Sequence, residues 1–304
     1  MIIATMIISN RNEPFLKACL DSLNDAVDLV VINDNSSDKD NPNLDIVKGS
    51  QFYKEDKVKL LFHPFKGFDD ARNKYLEYIH SLKPDKNTWV IKIDSDEVHP
   101  VCLKTVTRDI LPALPEKVGV VDSYFYHFMQ SFDYIFSIDR RHDLFVRYTP
   151  SLKWTGSVHE KLTGQSGSRI VLPYLFYHYG YVTLKDEVLE KWKLYAQCGD
   201  ATYSELDKVE KDSFLNWEGR YCVRFKESHP VYMQSLIEEL KETRKQEFDN
   251  YSDVIENHIA SNKSLGIKNH LRHLNYRFRV YSRFMQLSIR VPGLAAKFYK
   301  LLRK

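Results

Sequence analysis

No run of eighteen apolar residues occurs in the 304-residue chain, so none of its helices is expected to span a membrane. Cysteine is scarce and scattered. Cys19, Cys102, Cys198 and Cys222 have no metal-ligand spacing, which leaves a reduced, cytoplasmic compartment as the simplest expectation. The apolar amino terminus, Met1-Ile2-Ile3-Ala4-Thr5-Met6-Ile7-Ile8, lacks both a preceding basic region and a small-residue cleavage site. It reads as a first strand and not as a signal peptide. Glycine is missing from the turn that follows, Asn10-Arg11-Asn12-Glu13, and no repeat or low-complexity linker divides the chain.

Acids are missing from one region. Between Asn257 and Lys304 there are eleven Lys and Arg and no Asp or Glu. The preceding 256 residues hold 33 basic against 41 acidic residues, so the formal net charge of +3 joins an acidic body to a basic tail. Within that tail Leu294, Phe298, Leu301 and Leu302 share one helical face, with Lys297, Lys300, Arg303 and Lys304 around it. Such a helix suits an anionic membrane surface, which would make the protein peripheral at the inner face of the membrane. It equally suits the acidic body or a homodimer contact. Nucleic acid is not expected, because the body is acidic and carries no recognition motif.

What is present alternates strand and helix. Ile2 to Ile8, Leu29 to Ile32, Val58 to Phe62 and Trp89 to Ile93 read as strands. Glu13 to Leu23, with Pro14 near its first turn, and Asp69 to Ser81 read as helices. This rhythm predicts an α/β fold with a mostly parallel, doubly wound sheet. From Val118 to Tyr181 short aromatic strands are expected, with turns at Gly164, Gly167 and Pro173. After Thr183 the pattern is helical.

The chemistry-bearing residues sit where strands end. Trp89-Val90-Ile91-Lys92-Ile93 stops in Asp94-Ser95-Asp96-Glu97, and carboxylates there face the crevice in which open α/β sheets bind ligands. Asp94 and Asp96 would point opposite ways in a continuing strand, so the chain must turn at Ser95 for both to meet one ion. Oxygen donors of this type suit Mg²⁺ or Mn²⁺ carrying a polyphosphate, although a solvated acidic loop would look the same. Asp34 closes the second strand in a turn that also reads as an ordinary Asx turn. Asn10, Arg11 and Glu13 suit nucleotide contacts or helix capping. Asp69-Asp70-Ala71-Arg72-Asn73 reads equally as a simple helix start capped by Asp69 or Asp70, or as a first turn whose Arg72 and Asn73 face a diphosphate or a sugar. His159 and Glu160 beside Gly156 suit a metal ligand and a general base, or a surface accident. His178, between tyrosines, reads as half-buried.

In order, these pieces resemble family 2 glycosyltransferases of the GT-A fold, as in bacterial members that modify lipopolysaccharide cores or peptides. The resemblance rests on Ile7-Ile8-Ser9-Asn10-Arg11-Asn12-Glu13, Val30 to Asp38, Ala71-Arg72-Asn73 and Asp94-Ser95-Asp96-Glu97. Arg141 to Arg147 and Val158-His159-Glu160 extend it. It covers about Met1 to Tyr181 and implies a catalytic domain over 1–183, with a β-rich acceptor segment; the residue pattern adds a helical region over 184–304 with a basic amphipathic tail. It implies a nucleotide-diphosphate sugar donor, a UDP-sugar by first expectation, and a glycan, lipid-linked or protein acceptor. Asn10, Arg11, Glu13, Asp34, Arg72, Asn73 and Asp94 would bind the donor, and Asp94, Asp96 and His159 would hold Mn²⁺ or Mg²⁺. An inverting base is implied as well, with Glu160 the first choice and Asp143 the substitute. Arg11 stands where relatives carry Tyr or Phe, and Asp70 where Gly often precedes Ala-Arg-Asn. The Glu-Asp base motif of many relatives is not evident.

Three other readings compete. Asp94-Ser95-Asp96-Glu97-Val98 fits the motif of haloacid-dehalogenase-like phosphatases, which place it on the first strand, whereas three strands precede it here. A nucleotidyltransferase would usually carry a Gly-rich loop where Asn10-Arg11-Asn12-Glu13 stands. A non-catalytic membrane-surface adaptor would not need the surviving acids.

Overall fold

The computed structural model describes residues 1–37, 41–158, 160–199 and 222–261, and isolated residues between 270 and 282. His159 and the tail face of Leu294, Phe298, Leu301 and Leu302 lie outside the described residues.

Four strands form the parallel half of the sheet. β1 (Ile2–Ile8) is apolar on both faces, the composition of a central parallel strand, and it lies between β2 (Leu29–Asp34) and β4 (Trp89–Lys92). β3 (Val58–Phe62) pairs parallel with the other side of β2. The register sets Ile8 beside Asp34 and Thr5 beside Lys92, so Ser9 to Glu13, Asp34 and Asp94 leave the sheet at one edge. Two helices flank this half: α1 (Leu16–Leu23) and, later in the chain, a fourteen-residue helix, Phe68–Ser81. Between them come the short α2 (Asn43–Gly49) and α3 (Gln51–Lys54), so the long helix is α4. α4 buries the expected Ala71, Tyr75, Leu76 and Ile79, and with them Arg72. Its cap is Gly67, at φ 147°, and Asp69 and Asp70 fall in its first turn instead of at the cap.

The other half departs from the expectation of short pieces. After β5 (Glu97–Val98) and α5 (Leu103–Thr105), β6 (Val118–Met129) and β7 (Ser131–Arg147) make one long antiparallel hairpin. β7 joins the parallel half by pairing antiparallel with β4. The charged run from Asp139 to Asp143 lies within β7. Between the pairs Val121↔Phe145 and Ser123↔Arg141, two steps on β6 face four on β7, and Asp143 takes φ 55° in that bulge. After the ribbon β8 (Lys153–Thr155) and β9 (Lys161–Thr163), β10 (Ser168–His178) runs parallel to β6. Pro173 does not end it. The proline sits in a second bulge, between Val171 and Leu175, where its missing N–H costs no ladder bond. β5 pairs with the end of β10, setting Glu97 beside His178.

The helical region beyond Thr183 shares cores with the sheet. α6 (Lys185–Gln197) packs Val188, Leu189 and Trp192 with Met129, Tyr134 and Ile255. A two-residue strand interrupts the helical pattern: β11 (Val223–Arg224) pairs with β7. α7 (Gln234–Thr243) and α8 (Lys245–Ser261) follow, and Phe248 and Tyr251 of α8 join Phe128 and Phe132. Among the described residues no helix is long and apolar enough to cross a membrane.

Candidate functional site

At the carboxyl end of β4 the chain turns, but the turn does not bring Asp94 and Asp96 together as expected. The Glu97 amide donates to the Asp94 carbonyl at 3.0 Å, and the Asp94 amide donates to the Glu97 carboxylate at the same distance. The turn separates the two aspartates into different charge environments.

Asp94 lies between two arginines. Arg72 Nη2 from α4 donates to Oδ1 at 3.0 Å, and Arg141 Nη2 from β7 donates to Oδ2 at 2.7 Å. Burial works to raise the pKa of this carboxyl, but Arg141, Arg72 and Lys92 outweigh it and hold the group well below the usual carboxylate range. Arg141 also reaches Glu97 Oε1 at 3.1 Å; burial nevertheless pushes the Glu97 carboxyl up, with Asp94 adding to the shift.

Glu160 shares Arg72 with Asp94. Arg72 Nε donates to Glu160 Oε1, and Lys92 Nζ donates to the same oxygen at 2.9 Å. Burial opposes ionisation of Glu160, yet Arg72 and Lys92 hold its pKa down, so it is a carboxylate at neutral pH. Lys92, in turn, is pushed down by burial and by the two arginines. Trp154 of β8 lies against both cations, with its ring 5.5 Å from the Arg72 guanidinium and 4.9 Å from Lys92 Nζ. Asn73 holds that tryptophan in place: its side chain donates to the Trp154 carbonyl and accepts from the Trp154 amide, each at 2.9 Å.

Asp96 faces the other way. Its Oδ2 accepts from Lys191 Nζ of α6 at 3.3 Å, and its Oδ1 lies 3.4 Å from His178 Nε2 at the end of β10. Gly180 makes this approach feasible, since a Cβ there would stand 2.4 Å from Asp96 Oδ2. Burial drives His178 down to about 3, so its imidazole is neutral.

The residues expected to meet a nucleotide line the same edge. Glu13 accepts from Ser95 Oγ at 2.6 Å and from Ser9 Oγ at 3.4 Å; burial raises it to about 7, against the Ser95 bond. Asp34 Oδ1 accepts from the Ser36 amide at 3.0 Å, from the Ser36 hydroxyl at 2.6 Å and from Asn41 Nδ2 at 2.9 Å, an Asx turn that shapes the loop after β2. Asn10 and Arg11 are exposed on the loop after β1, where Asn43 donates to the carbonyls of Ser9 and Arg11. Asp143 belongs to a neighbouring group: it accepts from Arg169 Nη2 at 2.8 Å, while its amide donates to the buried Asp122.

Three participants were not singled out from sequence: Lys92, Lys191 and, as more than a half-buried residue, His178; Arg141 was named only within the stretch that extends the resemblance. Lys92 carried a readable signal, being a charge inside an otherwise apolar strand. Lys191 carried none, because a lysine in an amphipathic helix looks solvated.

A divalent cation needs oxygen or imidazole donors not already spent on other partners. Among the described residues no three His, Cys, Asp or Glu side chains form a metal-holding group. Asp94 has both oxygens bonded to arginines. Asp96 fits better, because its Oδ1 is buried without a hydrogen-bond partner and faces a neutral imidazole.

A family model described as "Glycosyl transferase family 2" matches residues 5–165, just over half of the chain. No curated protein matches. Among solved structures, similarity is found to GalNAc-T7 crystallised with UDP, GalNAc and Mn²⁺, at 11% identity and a TM-score of 0.30, covering 54% of this chain and 29% of that one. Similarity is also found to a 4-diphosphocytidyl-2C-methyl-D-erythritol synthase, at 16% identity and a TM-score of 0.29, covering 49% of this chain and 72% of that one. This chain thus spans under a third of the first, and neither likeness bears on function.

Proposed function

The chain belongs to glycosyl transferase family 2, and from that premise we propose that it moves a sugar from a nucleotide-diphosphate sugar, a UDP-sugar first, to an acceptor hydroxyl with inversion. The observation that carries the reading is the gathering of Arg72, Lys92, Arg141 and Lys191 around Asp94, Asp96 and Glu160 at the edge where the parallel strands end. Cations and carboxylates held in fixed pairs form a preorganised charge field, which suits a reaction that expels a diphosphate.

The balance of the transfer is simple. The acceptor oxygen forms a bond to the anomeric carbon as that carbon's bond to the phosphate oxygen breaks, and the electron pair leaves on the nucleoside diphosphate. The acceptor proton passes to a carboxylate, for which Glu160 is preferred over Asp143. Glu160 is held by Arg72 and Lys92 in the same group as Asp94, whereas the Asp143 carboxylate is held by Arg169 in a neighbouring group. A positioned base of this kind is worth about 10²–10⁴ in rate. Glu13, Asp34 and the loop of Asn10 and Arg11 line the place for the base and ribose, and Arg72 faces the diphosphate. Asn73 acts through Trp154. Asp96 and His178 would hold Mn²⁺ or Mg²⁺, with Asp94 beside them; His159 remains a further candidate ligand. Such an ion, when bound, supplies charge that stabilises the departing diphosphate.

The acid-free stretch after Glu256 supports a peripheral contact with anionic membrane, which would bring the enzyme to a lipid-linked acceptor. The decisive experiment on the donor is a thermal-shift panel of nucleotide sugars with Mn²⁺. Stabilisation by one nucleotide class, lost in Asp96→Asn, is expected. No response to any nucleotide sugar, with metal-dependent release of phosphate from simple phosphoesters, would overturn the reading.

A further inference from the structure

Lys191 lies outside the family-matched residues and donates to Asp96 Oδ2 from α6, on the side of the charge cluster away from Arg72's contact with Asp94. α6 is fixed there by its apolar face, Val188, Leu189 and Trp192, in the cluster with Met129, Tyr134 and Ile255. One turn beyond Lys191, the Tyr195 ring lies 5.8 Å from that of Phe68, the first residue of α4. The helix that carries Lys191 therefore touches the helix that carries Arg72, and their cations flank the Asp94-Ser95-Asp96 turn from two sides.

The Lys191 side chain is three-quarters buried, at 25% exposure. Its ammonium sits 5.3 Å from the centre of the Tyr181 ring and makes two long contacts, 3.3 Å to Asp96 Oδ2 and 3.5 Å to the Gly180 carbonyl. Burial opposes the charge, but Tyr195, Asp96 and Tyr181 outweigh it and keep the ammonium protonated, while the hydrogen bonds themselves are long. An ammonium also has three N–H donors, more than these two contacts use. Once a divalent cation sits on Asp96, the two positive charges compete for one carboxylate, and the ammonium requires a new anion within a few ångströms. In a nucleotide-sugar enzyme that anion is the diphosphate held by the same ion.

We propose that Lys191 binds the diphosphate of the donor, specifically the phosphate attached to the sugar, and stabilises the charge that builds on it as the nucleoside diphosphate leaves. This rests on the glycosyltransferase reading above. Lys191 passes from Asp96 to the phosphate when donor and metal enter, so the cleft remains neutralised in both states.

The test uses the full chain, with Lys191→Met to remove the charge but keep the stem and Lys191→Arg to keep the charge. UDP, GDP and dTDP, each beside its monophosphate, are titrated by calorimetry with saturating Mn²⁺, and Mn²⁺ alone is titrated by electron paramagnetic resonance. Lys191→Met is expected to weaken the nucleoside diphosphate by about tenfold to a hundredfold, the loss of a charge-assisted hydrogen bond. It should leave the monophosphate unchanged and Mn²⁺ alone no weaker, and kcat should fall more than KM rises. Lys191→Arg should retain most of the diphosphate affinity. Equal weakening of diphosphate and monophosphate would mark a packing role and overturn the proposal, as would unchanged diphosphate affinity. If the unmodified protein binds none of the three diphosphates, the donor reading itself falls, and the role of Lys191 with it.

Discussion

Gly180→Ala adds one methyl group at the point where Asp96, His178 and Lys191 meet. The backbone at Gly180 is not in the left-handed region, so alanine is conformationally acceptable and the perturbation is one of space. A Cβ there would lie 2.4 Å from Asp96 Oδ2, 2.9 Å from His178 Cε1 and 3.0 Å from Asp96 Cγ. Ordinary carbon contacts begin at about 3.5 Å, so one partner must retreat by about 1 Å. The backbone is poorly placed to give way, because the Tyr179 amide donates to the Asp96 carbonyl at 2.9 Å and the Tyr181 carbonyl accepts from the Gln130 amide at 2.8 Å. The Asp96 carboxylate therefore moves, away from both Lys191 and His178. A displacement of that size in a reacting constellation costs about 10²-fold in rate, or about 2.7 kcal/mol. Overpacking adds about 1–3 kcal/mol of lost stability. The assay is Mn²⁺-dependent hydrolysis of the nucleotide sugar identified by thermal shift, with calorimetric Mn²⁺ affinity beside it. Both should fall about a hundredfold while the far-UV circular dichroism is preserved. Activity within about threefold of the unmodified protein would show that the Asp96 oxygen is not where the chemistry needs it.

Arg141→Met leaves Asp94 and Glu97 without their shared partner. Breaking a buried pair costs about 3–5 kcal/mol, and the readiness of Glu97 to take a proton puts this case near the lower value. In a chain of this length that lowers the thermal midpoint by about 5 °C, measurable by scanning calorimetry. Glu160→Gln should reduce transfer by about 10²–10⁴ with little change in donor affinity, whereas Asp143→Asn should not; the reverse order would reassign the base. The contribution of His229 to stability should fall on acidification. His229, bonded to Tyr179 and to the Phe132 carbonyl, is held down to about 4 by burial, against an ordinary value near 6.5. Below pH 6.5 the unfolded chain takes up a proton that the folded one refuses, so this contribution is complete above 6.5 and lost as pH drops toward 4. Its size is about 2–3 kcal/mol, and His229→Gln should flatten that part of a urea-unfolding profile. Removing the residues after Arg290 should abolish co-sedimentation with anionic vesicles and spare donor hydrolysis if the basic tail meets membrane.

Sequence alone determined the parallel half of the fold and its edge. Strands and helices there repeat with periods that apolar residues display directly, and a sheet buried on both faces leaves continuous runs such as Ile2 to Ile8 and Trp89 to Ile93. It also located the acids, since Asp34 and Asp94-Ser95-Asp96 follow those strands. The antiparallel half was less legible. Pro173, expected to turn the chain, sits inside β10, and the charged run from Asp139 to Asp143 lies within β7, with His142 and Asp143 in a bulge. Only the tertiary structure decided which cation meets which carboxylate. Arg72, Lys92, Arg141 and Lys191 come from four separate elements, and sequence distance carries no information about their convergence. The two aspartates of one short motif consequently differ in kind. Asp94 is saturated by arginines, while Asp96 keeps a buried oxygen facing a neutral histidine, and that difference is set by packing around the turn at Ser95.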